Sequence, residues 1–105
     1  MSHPMSIISE EPDFVGPIIT TGEIADAAVE AAELDNPGRE IRVTKGPSYI
    51  RLEARGEIAL STCNMSQALG RPFHMGELEK NMPGFSGFIR MGSDRVKFVA
   101  SKTNK

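Results

Sequence analysis

Alternation of apolar and polar residues predicts one long strand in the middle of the chain. Its apolar face consists of five residues: Ile50, Leu52, Ala54, Ile58 and Leu60. Its opposite face carries polar residues: Tyr49, Arg51, Glu53, Arg55 and Glu57. A period of two is typical of an antiparallel strand with one buried face, and Gly56 indicates a bulge or bend within it. A shorter strand with Ile41 and Val43 precedes it across a turn at residues 45–47.

A helix is predicted before these strands, because apolar residues recur there at intervals of three and four. The residues on this face are Ile24, Ala27, Ala28, Ala31 and Leu34. Thr20 and Glu23 have the spacing of a capping box at its start. Asn36, Pro37 and Gly38 form a predicted turn that ends the helix. The apolar residues 14–19 in front of it predict a strand.

A rigid corner between two short helices is predicted at four consecutive residues: Gly70, Arg71, Pro72 and Phe73. The first of these helices has Asn64 and Gln67 as its predicted cap and ends at Leu69. Gly70 suits a left-handed C-cap, and Pro72 prevents the helix from continuing. We therefore interpret the four corner residues as structural.

The second short helix is predicted over residues 75–82, with His74 and Glu77 at the spacing of a capping box. Residues 85–91 and 95–100 are then predicted to form a hairpin. The order of elements is strand, helix, two strands, two helices and two strands. This order predicts a single α+β domain with helices packed against antiparallel sheets.

The predicted domain covers residues 14–100. Residues 1–13 lack periodicity and contain two prolines and three acidic residues, so they are interpreted as a flexible N-terminal arm. Residues 101–105 are interpreted as a frayed C-terminus. A chain of 105 residues has room for one core only.

Charge and cysteine content exclude several classes of function. The net charge of −2 and the pI near 5.7 give no electrostatic reason to expect nucleic acid or an anionic membrane as a partner. One cysteine, Cys63, cannot form an intramolecular disulfide and suits a reducing cytoplasm. We find no leader sequence and no apolar run long enough to span a membrane.

Candidate catalytic chemistry is sparse. His3, Cys63 and His74 are the only imidazole or thiol ligands, so no metal site is predicted. Cys63 and His74 remain a minor alternative as a catalytic pair, although we interpret Cys63 as a buried or half-buried structural thiol. A single glycine at position 22 is no phosphate-binding loop.

The aromatic residues near residue 85 point to an interaction surface instead. Phe85 and Phe88 have opposite parity in a regular strand, so one of them is predicted to lie outside the core. An exposed aromatic residue is a candidate anchor for a protein interface.

The chain resembles the effector (coupling or regulatory) proteins of bacterial multicomponent diiron monooxygenases, the methane, phenol and toluene family. It is most similar to the toluene-4-monooxygenase type. The resemblance spans roughly residues 14–100. It is carried by residues 15–19, 32–41, 49–51, 56–57, 69–73 and 77–79, with Phe85, Gly87 and Ile89.

The resemblance implies a protein without cofactor, catalytic residues or small-molecule substrate of its own. Such effectors bind the diiron hydroxylase and tune turnover, coupling and regiospecificity, while a reductase and a Rieske ferredoxin are separate chains. In the methane branch the segment after the second short helix faces the hydroxylase. The matching residues are Asn81, Met82, Pro83, Gly84, Phe85 and Ser86. A small-ligand-binding α+β protein, with a cleft between helices and sheet, is the alternative.

Overall fold

Two antiparallel sheets and three helices make up residues 13–100, the part of the chain that this computed structural model describes. The elements are β1 (Phe14–Thr20), α1 (Glu23–Asp35), β2 (Ile41–Lys45), β3 (Tyr49–Arg55), β4 (Glu57–Ser61), α2 (Thr62–Leu69), α3 (Met75–Lys80), β5 (Gly84–Ser86), β6 (Phe88–Met91) and β7 (Arg95–Val99). The predicted α+β class is confirmed. The predictions for residues 1–12 and 101–105 lie outside the described residues.

The strands form a first sheet in the order β2-β3-β1-β5 and a second sheet in the order β4-β7-β6. The predicted period of two is confirmed, but the prediction of a single long strand is wrong. The chain bends at Gly56, so β3 belongs to the first sheet and β4 to the second. The first strand of the predicted hairpin divides in the same way at Gly87, which separates β5 from β6. Only β6 forms the hairpin with β7.

Gly56 also holds the two ends of the described chain. Its N–H group donates to the carbonyl oxygen of Asp13 at 2.7 Å, and its own carbonyl oxygen accepts from the N–H group of Ala100 at 2.9 Å. The residues that precede β1 and follow β7 are therefore both hydrogen-bonded to the bend between the two sheets.

The core lies between the helices and the inner faces of both sheets. Its largest side chains with almost no exposure include Ile19, Leu52, Ile58, Leu60, Met65, Leu78 and Phe98. Helix α1 contributes mainly alanines, which let it approach the sheets closely. The predicted face of α1 is wrong at one position, because Leu34 is 59% exposed. The buried arc extends instead to Ala25 and Ala32, and Leu34 falls beyond its other margin.

Two predicted helix caps are also wrong. Thr20 ends β1, and α1 begins after Gly22 without a side-chain cap. The cap of α2 is Ser61, whose hydroxyl oxygen accepts from the N–H group of Asn64 at 3.1 Å. The side chain of Asn64 is thereby left to bind Asp35. Helix α3 ends at Lys80, two residues before the predicted end.

Candidate functional site

The corner between α2 and α3 has the predicted conformation. Gly70 adopts φ 74° and ψ 22°, the left-handed C-cap, and its N–H group donates to the carbonyl oxygen of Ser66 at 2.8 Å. Phe73 is buried with 4% exposure, and its N–H group donates to the hydroxyl oxygen of Ser66 at 3.1 Å. One turn of α2 and one buried ring therefore fix the direction in which α3 begins.

Arg71 joins this corner to the start of α1. Its guanidinium lies 2.8 Å from the carboxylate of Glu23 and 3.1 Å from that of Glu77. It also donates to the carbonyl oxygen of Pro72 at 3.1 Å. The hydrogen bonds to Glu23 and Glu77 favour the charged form and raise the pKa of Arg71.

Glu77 lies at the third position of α3, where a carboxylate meets the first N–H groups of the helix. Its carboxylate accepts from the N–H group of His74, the N-cap residue, at 3.3 Å. Desolvation raises the pKa of Glu77, but the hydrogen bonds from His74 and Arg71 and the positive charge of Arg71 outweigh it and lower the pKa. Glu77 is thus held as a carboxylate between the corner and α3.

Residues 81–86, which we call the 81–86 segment, are held at both ends. The carbonyl oxygen of Asn81 accepts from the N–H group of Thr20 at 2.8 Å, and the side-chain amide of Asn81 donates to the carbonyl oxygen of Glu77 at 2.7 Å. At its other end the segment becomes β5, the edge strand that pairs with β1. Met82 and Pro83 span the short distance between these two anchors.

Phe85 and Phe88 are both exposed, at 42% and 48%, although the sequence predicted only one of them outside the core. The parity argument assumed a regular strand, and the break at Gly87 puts the two residues in different sheets. The ring of Phe85 lies 5.6 Å from that of buried Phe98. One side of the ring is therefore supported and the remainder faces solvent.

The predicted turn at residues 36–38 has a structural role, because its first residue links α1 to β4 by hydrogen bonds. Asn36 is buried, and its side-chain amide donates to the carbonyl oxygens of Ala32 and Ala59. Pro37 and Gly38 are exposed. Next to Asn36, the carboxylate of Asp35 accepts from the N–H and hydroxyl groups of Ser61 and from the side chain of Asn64: a cluster that sequence reasoning missed.

The outer face of the first sheet carries a second contact that the sequence did not reveal. The guanidinium groups of Arg42 and Arg55 lie 3.8 Å and 4.7 Å from the centre of the Phe14 ring. Phe14 is only 5% exposed, with these two guanidinium groups close to its ring. The face that the sequence predicted to be polar is thus partly an aromatic–cation cluster.

The residues considered for catalysis do not gather into a site. Cys63 is exposed in the first turn of α2, so its interpretation as a buried or half-buried thiol is wrong. His74 is exposed at the start of α3. Within residues 13–100 no group of three His, Cys, Asp or Glu side chains has the arrangement of a metal site. No helix in that range is long and apolar enough to cross a membrane.

Residues 13–100 therefore form a small α+β protein whose polar contacts brace a corner and an edge strand. The profile of the MmoB/DmpM family matches residues 13–99. The effector subunit of the alkene monooxygenase system of Xanthobacter autotrophicus is 37% identical over 88 residues, which cover 84% of this chain and 87% of that protein. The chain belongs to the MmoB/DmpM family.

Solved structures show the same fold. A chain from the phenol hydroxylase–regulatory protein complex matches with a TM-score of 0.68 at 22% identity, over 82% of this chain and 97% of that chain. The soluble methane monooxygenase regulatory protein B matches with a TM-score of 0.63 at 18% identity, over 86% and 67%. With the family established, the chain is an effector or regulatory subunit of a multicomponent monooxygenase and not its catalytic component.

Proposed function

We propose that this protein binds the diiron hydroxylase of a toluene- or alkene-type monooxygenase through the 81–86 segment. Bound there, it tunes turnover, coupling and regiospecificity without a cofactor of its own. The observation that carries the proposal is the exposed ring of Phe85 on an edge strand whose backbone is anchored at both ends. A partly supported aromatic residue on a rigid element is a typical anchor of a protein interface.

The relatives support the partner. The phenol hydroxylase regulatory protein has been solved as a complex with phenol hydroxylase, and the alkene monooxygenase effector subunit is similar over most of both chains. The alkene relative favours an alkene over toluene as the substrate of the partner enzyme. We also infer that the protein works in the cytoplasm, where its exposed thiol, Cys63, stays reduced.

Reconstitution tests this function. The hydroxylase, ferredoxin and reductase of an alkene- or toluene-type monooxygenase are purified and assayed with and without this protein, with isoprene and toluene as probe substrates. We expect the protein to raise the rate and the product formed per NADH, and to change the ratio of regioisomers from toluene. Binding with unchanged rate, coupling and product ratio would reject the tuning role. No binding to the hydroxylase at all would reject the whole proposal.

A further inference from the structure

Four non-covalent contacts link five residues from the corner to the 81–86 segment, and the chain between Thr20 and Glu23 closes them into a ring. The ring consists of Thr20, Glu23, Arg71, Glu77 and Asn81. The first two lie at the junction of β1 and α1, three residues apart. The other three come from the corner, from the start of α3 and from its end. We refer to this set as the Arg71 ring.

The ring contains ion pairs made by Arg71 and hydrogen bonds made by Asn81. Arg71 closes one side through the carboxylates of Glu23 and Glu77, at 2.8 and 3.1 Å. Asn81 closes the other side: its side chain donates to the main chain of Glu77 at 2.7 Å, and its own carbonyl oxygen accepts from Thr20 at 2.8 Å. The carbonyl oxygen that begins the 81–86 segment is therefore two contacts away from the guanidinium.

We propose that Arg71 is a positioning residue that presets the backbone of the 81–86 segment for its partner. This inference rests on the function proposed above. We expect the corner to fold without Arg71, because the side chains of Phe73, Met75 and Leu78 in the same segment are buried. What Arg71 adds is the orientation of α3 relative to the junction of β1 and α1. A segment held in its bound conformation loses less conformational entropy on binding.

The guanidinium is suited to this position because its planar fork serves two carboxylates and a carbonyl oxygen at once. A lysine at this position has a single ammonium group and cannot reproduce the fork, although it keeps the charge. The conservative replacement is therefore expected to restore only part of the effect of arginine. A methionine keeps the apolar stem of the side chain and removes every polar contact.

The experiment compares Arg71→Met and Arg71→Lys with Lys97→Met as a matched control. Lys97 has the same side-chain exposure as Arg71, 38%, and pairs with Glu57 at 3.8 Å in the second sheet. Amide hydrogen exchange of the free protein is measured at Thr20, whose N–H group binds Asn81, and at Ala59, whose N–H group binds Asn36. Each variant is then titrated into the reconstituted hydroxylase assay.

In Arg71→Met we expect exchange at Thr20 to rise by about 10-fold while exchange at Ala59 is unchanged, as for a local opening. The concentration for half-maximal activation should rise by about 3- to 10-fold, with the rate at saturation kept, because only preorganisation is lost. Arg71→Lys should give values between those of the wild type and Arg71→Met. Lys97→Met should match the wild type in both measurements.

Three outcomes would overturn the proposal. Unchanged exchange at Thr20 means that Arg71 does not brace the segment. Equal increases at Thr20 and Ala59 mean that Arg71 stabilises the whole fold. Faster exchange at Thr20 with an unchanged half-maximal concentration means that the bracing does not serve binding. If the wild-type protein itself fails to activate the hydroxylase, the proposed function fails, and the exchange data still decide whether Arg71 braces the segment.

Discussion

The side chain of Asn36 pairs with both main-chain polar groups of Ala59, although 23 residues separate them in the chain. The amide group donates to the carbonyl oxygen of Ala59 and accepts from its N–H group, at 2.9 Å in each case. A third bond, to the carbonyl oxygen of Ala32, ties the same side chain to α1. Asn36 thus fastens the end of α1 to β4.

Asn36→Ala should destabilise the protein by roughly 2–4 kcal/mol, because it leaves the polar groups of Ala59 without partners in a buried place. Urea denaturation measures the loss. Asn64→Ala is the control, since it removes one half-buried hydrogen bond to Asp35 and should cost about 1 kcal/mol. A loss for Asn36→Ala no larger than that of the control would contradict this account.

Gly87→Ala should destabilise the fold by about 2–4 kcal/mol. Gly87 has φ 96°, and an added Cβ would meet the side chain of Val15 at 2.6 Å and the carbonyl oxygen of Val99 at 2.8 Å. Gly76→Ala makes the same change in α3, where nothing lies within 4 Å of the added carbon, and should be neutral or stabilising by up to about 1 kcal/mol. Thermal melts of the two variants should therefore shift in opposite directions or, at least, differ widely.

Phe85→Ala should weaken activation of the hydroxylase while the protein stays folded. The ring is 42% exposed and lies against Phe98, so its loss should cost about 1 kcal/mol of stability and a larger factor, about 10-fold or more, in half-maximal concentration. Phe73→Ala is the contrasting variant, because Phe73 is buried and its removal should cost about 3–5 kcal/mol. A stability loss of that size in Phe85→Ala would assign Phe85 to the core.

Acid should weaken the contribution of Glu77 to stability. Because the pKa of Glu77 in the folded protein lies below its ordinary value of 4.5, its stabilising effect is complete above that value and is lost as pH falls through the lower, folded pKa. The difference in stability between the wild type and Glu77→Gln should hence be constant near neutral pH and shrink below pH 4.5. Urea midpoints across this range measure it. Glu79→Gln, at an exposed position of the same helix, should follow the wild type; an unchanged difference down to pH 2.5 would refute the assignment to Glu77.

Replacing Cys63 and His74 together by alanine should leave activation of the hydroxylase unchanged. Cys63 is exposed on α2, and it is the main chain of His74, through its N–H group, that binds Glu77. The same reconstituted assay measures the double variant, with Phe85→Ala as the variant that must lose activation. Loss of activity in the double variant, with its fold intact, would revive the alternative of a catalytic pair.

Much of the fold follows from local pattern. The period of two located β3 and β4, and the Leu-Gly-Arg-Pro-Phe sequence located the corner, because both depend on neighbours in the chain. Antiparallel sheets were predicted, but the division of β3 from β4 and of β5 from β6 between two sheets was missed. A bend at Gly56 or Gly87 leaves the alternation of apolar and polar residues intact while the partner strand changes. The cap predicted at Asn64 was wrong because Ser61, three residues earlier, can cap the same helix start. The cap predicted at Thr20 was wrong because β1 extends to Thr20 and α1 begins only after Gly22.

The site was only partly predictable for a related reason. The 81–86 segment was predicted as an interface from family resemblance and an unusual run of small and aromatic residues, and it stays a prediction. Arg71 and Glu23 are 48 residues apart in the chain, and no local spacing of residues predicts such a pair. The hydrogen bond from Thr20 to Asn81 joins main-chain groups, which carry no sequence signal.

The contacts of Gly56 bring Asp13 and Ala100 to a single residue, so the polypeptide enters and leaves its fold at neighbouring points. A short linker between those points should permit a circular permutant. New termini opened in the exposed β6–β7 turn, residues 92–94, would preserve every strand pairing. In such a rearranged protein residues 20–81, which contain the Arg71 ring, would keep the uninterrupted chain that they have in the natural order.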